Sequence, residues 1–214
     1  MVDNSIADHK ALVEHGYDRC AGAYAEMRQS KTHESTVTLK DHLDDGAAVL
    51  DVGCGAGVPV ARDLARSFYV TGVDISGVMI DRARINVPQG IFMHADIMSA
   101  EFPPSHFDAV VAYYSIVHLP REEHQALFHR IHQWLKPGGY LMATVGMKGQ
   151  ATYTNEDFFG VKMIWSNYGL SDYMVMLDKV GFNILAVSIV GHGYGQEHQM
   201  SPERHPLLFA QKRT

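Results

Sequence analysis

The sequence predicts an α/β fold: a seven-stranded, mostly parallel sheet with helices on both faces and an antiparallel edge strand. Three observations lead there. From Ala47 onward, apolar runs alternate with stretches of helical periodicity, the pattern of parallel strands buried on both faces and joined by crossover helices. The first of these runs ends in a glycine-rich turn, VLDVGCGAGV at 49–58, that opens a helix. The last two runs have no helical stretch between them, so they pair antiparallel at one edge.

Each element has its own signal. Val13, Tyr17, Cys20, Tyr24 and Met27 step by 4, 3, 4 and 3, one stripe of a helix over about 7–30. A short helix at about 33–43 follows. Strands are expected at 47–52, 68–74, 90–96, 107–115 and 139–146, with helices at about 57–66, 76–86 and 121–135 between them. In the last of these helices Leu127, Phe128, Ile131, Trp134 and Leu135 share one face, and Lys136-Pro137-Gly138-Gly139 is expected to stop it. Residues 148–170 break the alternation. Ser171 then caps a helix that Gly181 ends, and strands at 182–190 and 206–212 close the chain. At roughly 150 residues per domain, the 214 residues form one domain. It comprises a helical cap (1–45), a core (46–147), an insert (148–170) and a terminal helix with a β-hairpin (171–214).

Composition narrows the partners. No apolar run is long enough to span a bilayer, and MVDNSIADHK lacks the basic start and apolar stretch of a signal peptide, so a cytoplasmic protein that does not enter the membrane is expected. Cys20 and Cys54 have no zinc or disulfide spacing and are expected to be free thiols. A formal charge of -6 leaves no cation surplus for a phosphate backbone, and no nucleic acid partner is expected.

The chemistry concentrates after the first strand. Gly53, Gly55 and Gly57 let backbone N–H groups approach a ligand at a helix start. The dinucleotide fingerprint would need Gly or Ala at 58, where the chain has Val58; nicotinamide cofactor chemistry remains an alternative on the glycine turn alone. Asp51 argues the other way, because a carboxylate there opposes a pyrophosphate and suits the sulfonium and ammonium of S-adenosylmethionine. Asp74, 17 residues after Gly57, and Asp96, 22 after Asp74, end the next two strands at the same carboxyl edge, where ligands bind in open α/β sheets. Asp74 can accept ribose hydroxyls and Asp96 an exocyclic adenine amine.

With VLDVGCGAGV (49–58), GVDIS (72–76), HADI (94–97), FDAVVAYYSIVHL (107–119), LKPGGYL (135–141) and LDKVGF (177–182), the sequence resembles the class I S-adenosylmethionine-dependent methyltransferases, over about 135 residues. The resemblance implies their Rossmann-like fold, S-adenosylmethionine as methyl donor and S-adenosylhomocysteine as product. It implies that Gly53, Cys54, Gly55 and Gly57 surround the methionine end and that Asp74 holds the ribose. Ile75 and Met79 would pack near the adenine, Asp96 and Ile97 contact its rim, and Ser115 lie under the sulfonium. A tyrosine of the first helix, Tyr17 or Tyr24, would close over the cofactor. An (N/D)PP(Y/F) tetrapeptide, which in similar enzymes marks methylation of exocyclic or amide nitrogens, is replaced by AYYS at 112–115.

If the acceptor is a hydroxyl or a protonated amine, a group poised near neutral pH should take its proton. His118 is the first candidate, with Tyr17 nearby in role and His198, His192 and Glu197 in the loop before the last strand. Those three could also bind a metal, but solvated polar groups are the reading adopted. The insert holds Tyr153, Phe158, Phe159, Trp165 and Tyr168 and is expected to be an aromatic lid over a small, partly apolar acceptor. A cofactor-binding protein without catalysis, and a protein or RNA methyltransferase needing a partner, are the competing readings.

Overall fold

A computed structural model of the chain describes residues 4–28, 35–191 and 204–214. Its sheet is built from β1 (Ala48–Val52), β2 (Tyr69–Asp74), β3 (Ile91–His94), β4 (Phe107–Ala112), β5 (Leu135–Thr144), β8 (Phe182–Gly191) and β9 (Arg204–Lys212), in the order β3-β2-β1-β4-β5-β9-β8. The first five strands are parallel; β9 runs antiparallel to both β5 and β8, so the reversed strand sits one in from the edge. The strand order reverses direction at β1 and β4. That is the switch point beyond whose carboxyl ends a crevice opens.

Alternation within each strand divides the core. Leu50 and Val52 of β1 face one side, which α5 (His124–Trp134) and α6 (Leu170–Val180) cover with Leu127, Phe128, Ile131, Tyr173 and Leu177. Val49 faces the other side, covered by α2 (Ser35–Lys40), α3 (Val60–Leu64) and α4 (Gly77–Asn86). Leu127, Phe128 and Ile131 are fully buried, each worth about 1.5–3 kcal/mol of transfer free energy. A third cluster lies over the carboxyl edge, where α1 (Asn4–Arg28) packs Val13, Cys20, Ala21 and Tyr24 against Ala56, Met79 and three residues of the insert: Phe158, Val161 and Met163.

Three elements differ from the sequence reading. The insert is a β-hairpin, β6 (Gln150–Phe158) and β7 (Val161–Asn167), turning through Phe159 and Gly160 with φ of 54° and 79°. Two positive φ values in a two-residue loop match the twist of the flanking strands. Residues 136–139 do not end α5 in a loop. β5 begins at Leu135, opposite Phe107, and the pairing resumes at Ala109 opposite Tyr140, so the proline and glycines form an irregularity inside the strand. The N-cap of α6 lies two residues before the expected Ser171: it is Gly169, whose N–H donates to the Asp172 carboxylate at 3.2 Å. Its end is as expected: Gly181 adopts φ 113°, the left-handed cap.

Candidate active site

One cavity opens at the switch point. Its wall contains eleven of the residues expected around a cofactor: Tyr24, Asp51, Gly53, Cys54, Gly55, Asp74, Ile75, Met79, Asp96, Ile97 and Ser115, together with Tyr17 and His118. Gly57 is not in the wall. With φ 74°, it lies against α4, where an added Cβ would sit 3.1 Å from Val87 and 3.3 Å from Ala83, so it sets how closely the glycine turn approaches that helix. His192, Glu197 and His198 lie outside the described residues.

The glycine turn is locked from two sides. At Gly53 (φ 70°), a Cβ would fall 2.2 Å from the Ser115 Cβ, which ties the end of β1 to the loop after β4. Ser115 itself donates to the Val52 carbonyl at 2.6 Å, so its hydroxyl proton is committed to the backbone. Gly55 (φ 53°) faces the cavity, and a Cβ there would meet nothing within 4 Å. Space over a left-handed glycine, with a carboxylate nearby, is what a sulfonium amino acid requires. The residues present therefore fit S-adenosylmethionine.

Asp74 has a second duty that its position at the end of β2 does not announce. Its carboxylate accepts from the Gly55 N–H at 2.8 Å and from the Ser76 N–H at 2.9 Å, fastening the glycine turn to β2. Burial pushes its pKa up, against the pull of those two bonds. Cys54 is a buried free thiol whose pKa is raised well above the ordinary value, first by burial and then by Asp74 and Asp51. It stays neutral and lines the wall. Asp51 is buried.

Helix α1 closes the cavity through side chains near its start and about two turns further on. His9 Nε2 is 3.0 Å from the His118 carbonyl, Lys10 donates at 2.8 Å to both Asp96 and Glu123, and Asp18 accepts from Ser76 Oγ at 2.6 Å. Lys10 also lines the cavity and was missed by the sequence reading. The signal was present: it stands three residues before Val13, on the stripe that was expected to be apolar. Tyr113 and Tyr114, the latter with φ 56°, are in the wall as well.

The Tyr17 hydroxyl lies 2.7 Å from His118 Nε2. His118 Nδ1 lies 3.1 Å from the Ile164 carbonyl of β7, and a carbonyl can only accept, so Nδ1 carries the proton. Nε2 is then the acceptor and the phenol donates to it. His118 is buried in a 3₁₀ turn, not solvated in a loop, and burial holds its pKa down to about 4. The expected base poised near neutrality is corrected: the imidazole is neutral, because its charged form would be desolvated with no carboxylate bonded to it.

The expected aromatic lid is corrected: none of the hairpin residues is in the cavity wall, and the hairpin packs behind Tyr17, Tyr24 and His118. Trp165 lies 5.4 Å from the His118 ring and stacks on Tyr153 at 5.2 Å, while Phe158 contacts Tyr17 and Tyr24 at 6.2 and 6.1 Å. Phe159 lies 5.7 Å from Tyr24. Tyr168 stands apart, against His124, Tyr173 and Arg121.

Comparison with known proteins agrees with this geometry. Residues 49–139 match the family model described as a methyltransferase domain. A sterol 24-C-methyltransferase of Gibberella zeae is 30% identical over 200 residues, 84% of this chain and 50% of that protein. Phosphoethanolamine N-methyltransferase 3 of Arabidopsis thaliana is 34% identical over 162 residues, 70% of this chain and 32% of that protein. The chain thus spans half or less of the length of these relatives. Magnesium protoporphyrin IX methyltransferase from Synechocystis PCC 6803, solved with bound S-adenosylmethionine, superposes with a TM-score of 0.72 at 17% identity, covering 96% of this chain and 97% of that one. No helix among the described residues is long and apolar enough to cross a membrane. With the fold, the glycine turn and the strand-end acids arranged in this way, the chain carries a class I S-adenosylmethionine-dependent methyltransferase domain.

Proposed function

We propose that the protein methylates a small, at least partly apolar molecule, with Tyr17 and His118 receiving the proton the acceptor gives up. The observation that carries this reading is the Tyr17–His118 hydrogen bond at 2.7 Å, in the wall of a cavity that α1 closes. When bound, S-adenosylmethionine supplies a methyl group on a sulfonium whose departure needs no proton. The chain's contribution is alignment and proton handling. Asp51 balances positive charge at the methionine end, Asp74 receives the ribose hydroxyls, and Met79 and Ile97 pack against the base. As the acceptor bonds to the methyl, its proton passes to the Tyr17 oxygen and the Tyr17 proton passes to His118 Nε2. Nδ1–H stays on the Ile164 carbonyl throughout.

A histidine held at about 4 is a weak base. The pair therefore suits an acceptor that attacks as a neutral nucleophile and becomes strongly acidic as the new bond forms, rather than one that must be ionised first. The relatives named for a sterol and for phosphoethanolamine support a small molecule as acceptor.

Calorimetric titration with S-adenosylhomocysteine tests the cofactor site. Micromolar binding is expected, and Asp74→Ala should lose at least tenfold in affinity, having lost one or more hydrogen bonds to a charged group. Absence of binding to wild-type protein with a cooperative melting transition would overturn the reading.

A further inference from the structure

The cavity is electrostatically lopsided. Three carboxylates line it, Asp51, Asp74 and Asp96, and Lys10 is the one lysine or arginine in its wall among the described residues. That cation is not shared among the three acids. It sits on Asp96 Oδ2 at 2.8 Å, after β3 and two strands away from Asp51 on β1, so the charge of the acid expected to face the base is offset by a lysine. Such a division matches a ligand that is cationic at one end and neutral at the other.

The pairing also has a chemical polarity. Asp96 Oδ1 is occupied by the Met98 N–H at 2.9 Å, which fixes the plane of the carboxylate. Lys10 spends two of its three N–H donors on Asp96 and Glu123, leaving a third with no partner among the described residues. Acceptor and donor thus stand 2.8 Å apart in the cavity wall. Adenine shows the complement on one edge: the N6 amine donates and the adjacent N1 accepts. A 6-oxopurine reverses both, presenting a carbonyl at position 6 and N1–H.

We propose that Lys10 is a specificity residue for the cofactor, its ammonium donating to adenine N1 while Asp96 accepts from the N6 amine. This rests on the cofactor reading above and adds to it a residue from α1, so that closure of the helix and recognition of the base become one event. Burial alone would lower the Lys10 pKa; the bonds to Asp96 and Glu123 more than offset that, and the ammonium keeps its donors.

The test is calorimetric titration of the full chain with S-adenosylhomocysteine and with its inosine counterpart, in which the 6-amine is replaced by oxygen. Wild-type protein should prefer the adenine compound by at least roughly tenfold, the scale of a charge-assisted hydrogen bond lost. Lys10→Met should weaken adenine binding by about tenfold and shrink the preference, with its folding checked by thermal melting. Glu123→Gln loosens the tether of α1 but leaves Lys10 beside Asp96, and should keep the wild-type preference. Equal binding of the two compounds by wild type would overturn the assignment whether or not any variant folds. So would a Lys10→Met protein that weakens both compounds by the same factor, which is the behaviour of a mere latch. Failure of wild type to bind S-adenosylhomocysteine would instead overturn the cofactor reading, and this assignment with it.

Discussion

Tyr17 and His118 are 101 residues apart in sequence, and nothing local to either announces the other. What joins them is the carbonyl of Ile164, which fixes the imidazole tautomer, and the α1 stripe, which delivers the phenol. Removing only the hydroxyl isolates its part. Tyr17→Phe should lower kcat by roughly 100-fold or more, the span of general acid–base contributions, while S-adenosylhomocysteine affinity stays within about threefold. Steady-state kinetics with the best acceptor from a screen of amines, phenols and thiols, beside a calorimetric titration, would check it; a kcat within about twofold of wild type would remove Tyr17 from the proton path. At this scale the sequence was most informative where one residue type alone can serve. Gly53, Gly55 and the strand-end acids were legible because backbone geometry and charge leave few substitutes. Lys10 was not, because a lysine on an apolar stripe reads as an exposed residue until its partners, 86 and 113 residues away, are known.

Among elements, the parallel strands were legible because burial on both faces turns each into an apolar run. The β6–β7 hairpin was not: in β6 only Phe158 is buried, so no alternation marks it, and its aromatics signal a lid without signalling a strand. Their placement is now explicit, with Tyr153 directly opposite Trp165 in the ladder, a cross-strand aromatic pair that braces the face above His118. Trp165→Ala removes that brace. It should reduce kcat/KM for the acceptor by about tenfold, mainly through KM, with cofactor affinity unchanged within about threefold. Unaltered acceptor kinetics would mean that the hairpin merely packs on α1. The run at 136–139 misled for a related reason: proline and glycine are permitted where a strand bulges, as β5 does between its two stretches of pairing with β4.

Across the whole molecule, buried histidines set the response to acid. His118 and His124 are each held at about 4 by burial, against an ordinary value near 6.5. Between those values the unfolded chain binds protons that the folded chain does not, so stability is full above pH 6.5 and falls as pH drops toward 4. The loss is on the order of 3 kcal/mol for each histidine across the window. Asp74, pushed up by burial, takes its proton earlier in the folded state and offsets part of this. The melting temperature should fall by about 10 °C or more between pH 7.5 and 5. His124→Gln should flatten that curve, and a slope unchanged by the substitution would show that other groups govern it.

The positions of the two tryptophans supply an optical consequence. The chain has only Trp134 and Trp165. Trp134 is buried in the main core beneath the Arg130 guanidinium, whereas Trp165 is half-buried in the hairpin, stacked on Tyr153 beside the His118 ring. Intrinsic fluorescence is therefore the sum of two emitters in separate surroundings, one reporting global unfolding and the other the immediate neighbourhood of the Tyr17–His118 pair. With Trp165→Phe the emission change on adding S-adenosylhomocysteine should vanish while the unfolding signal persists, and the protein would carry its own dye for timing ligand binding in a stopped-flow instrument.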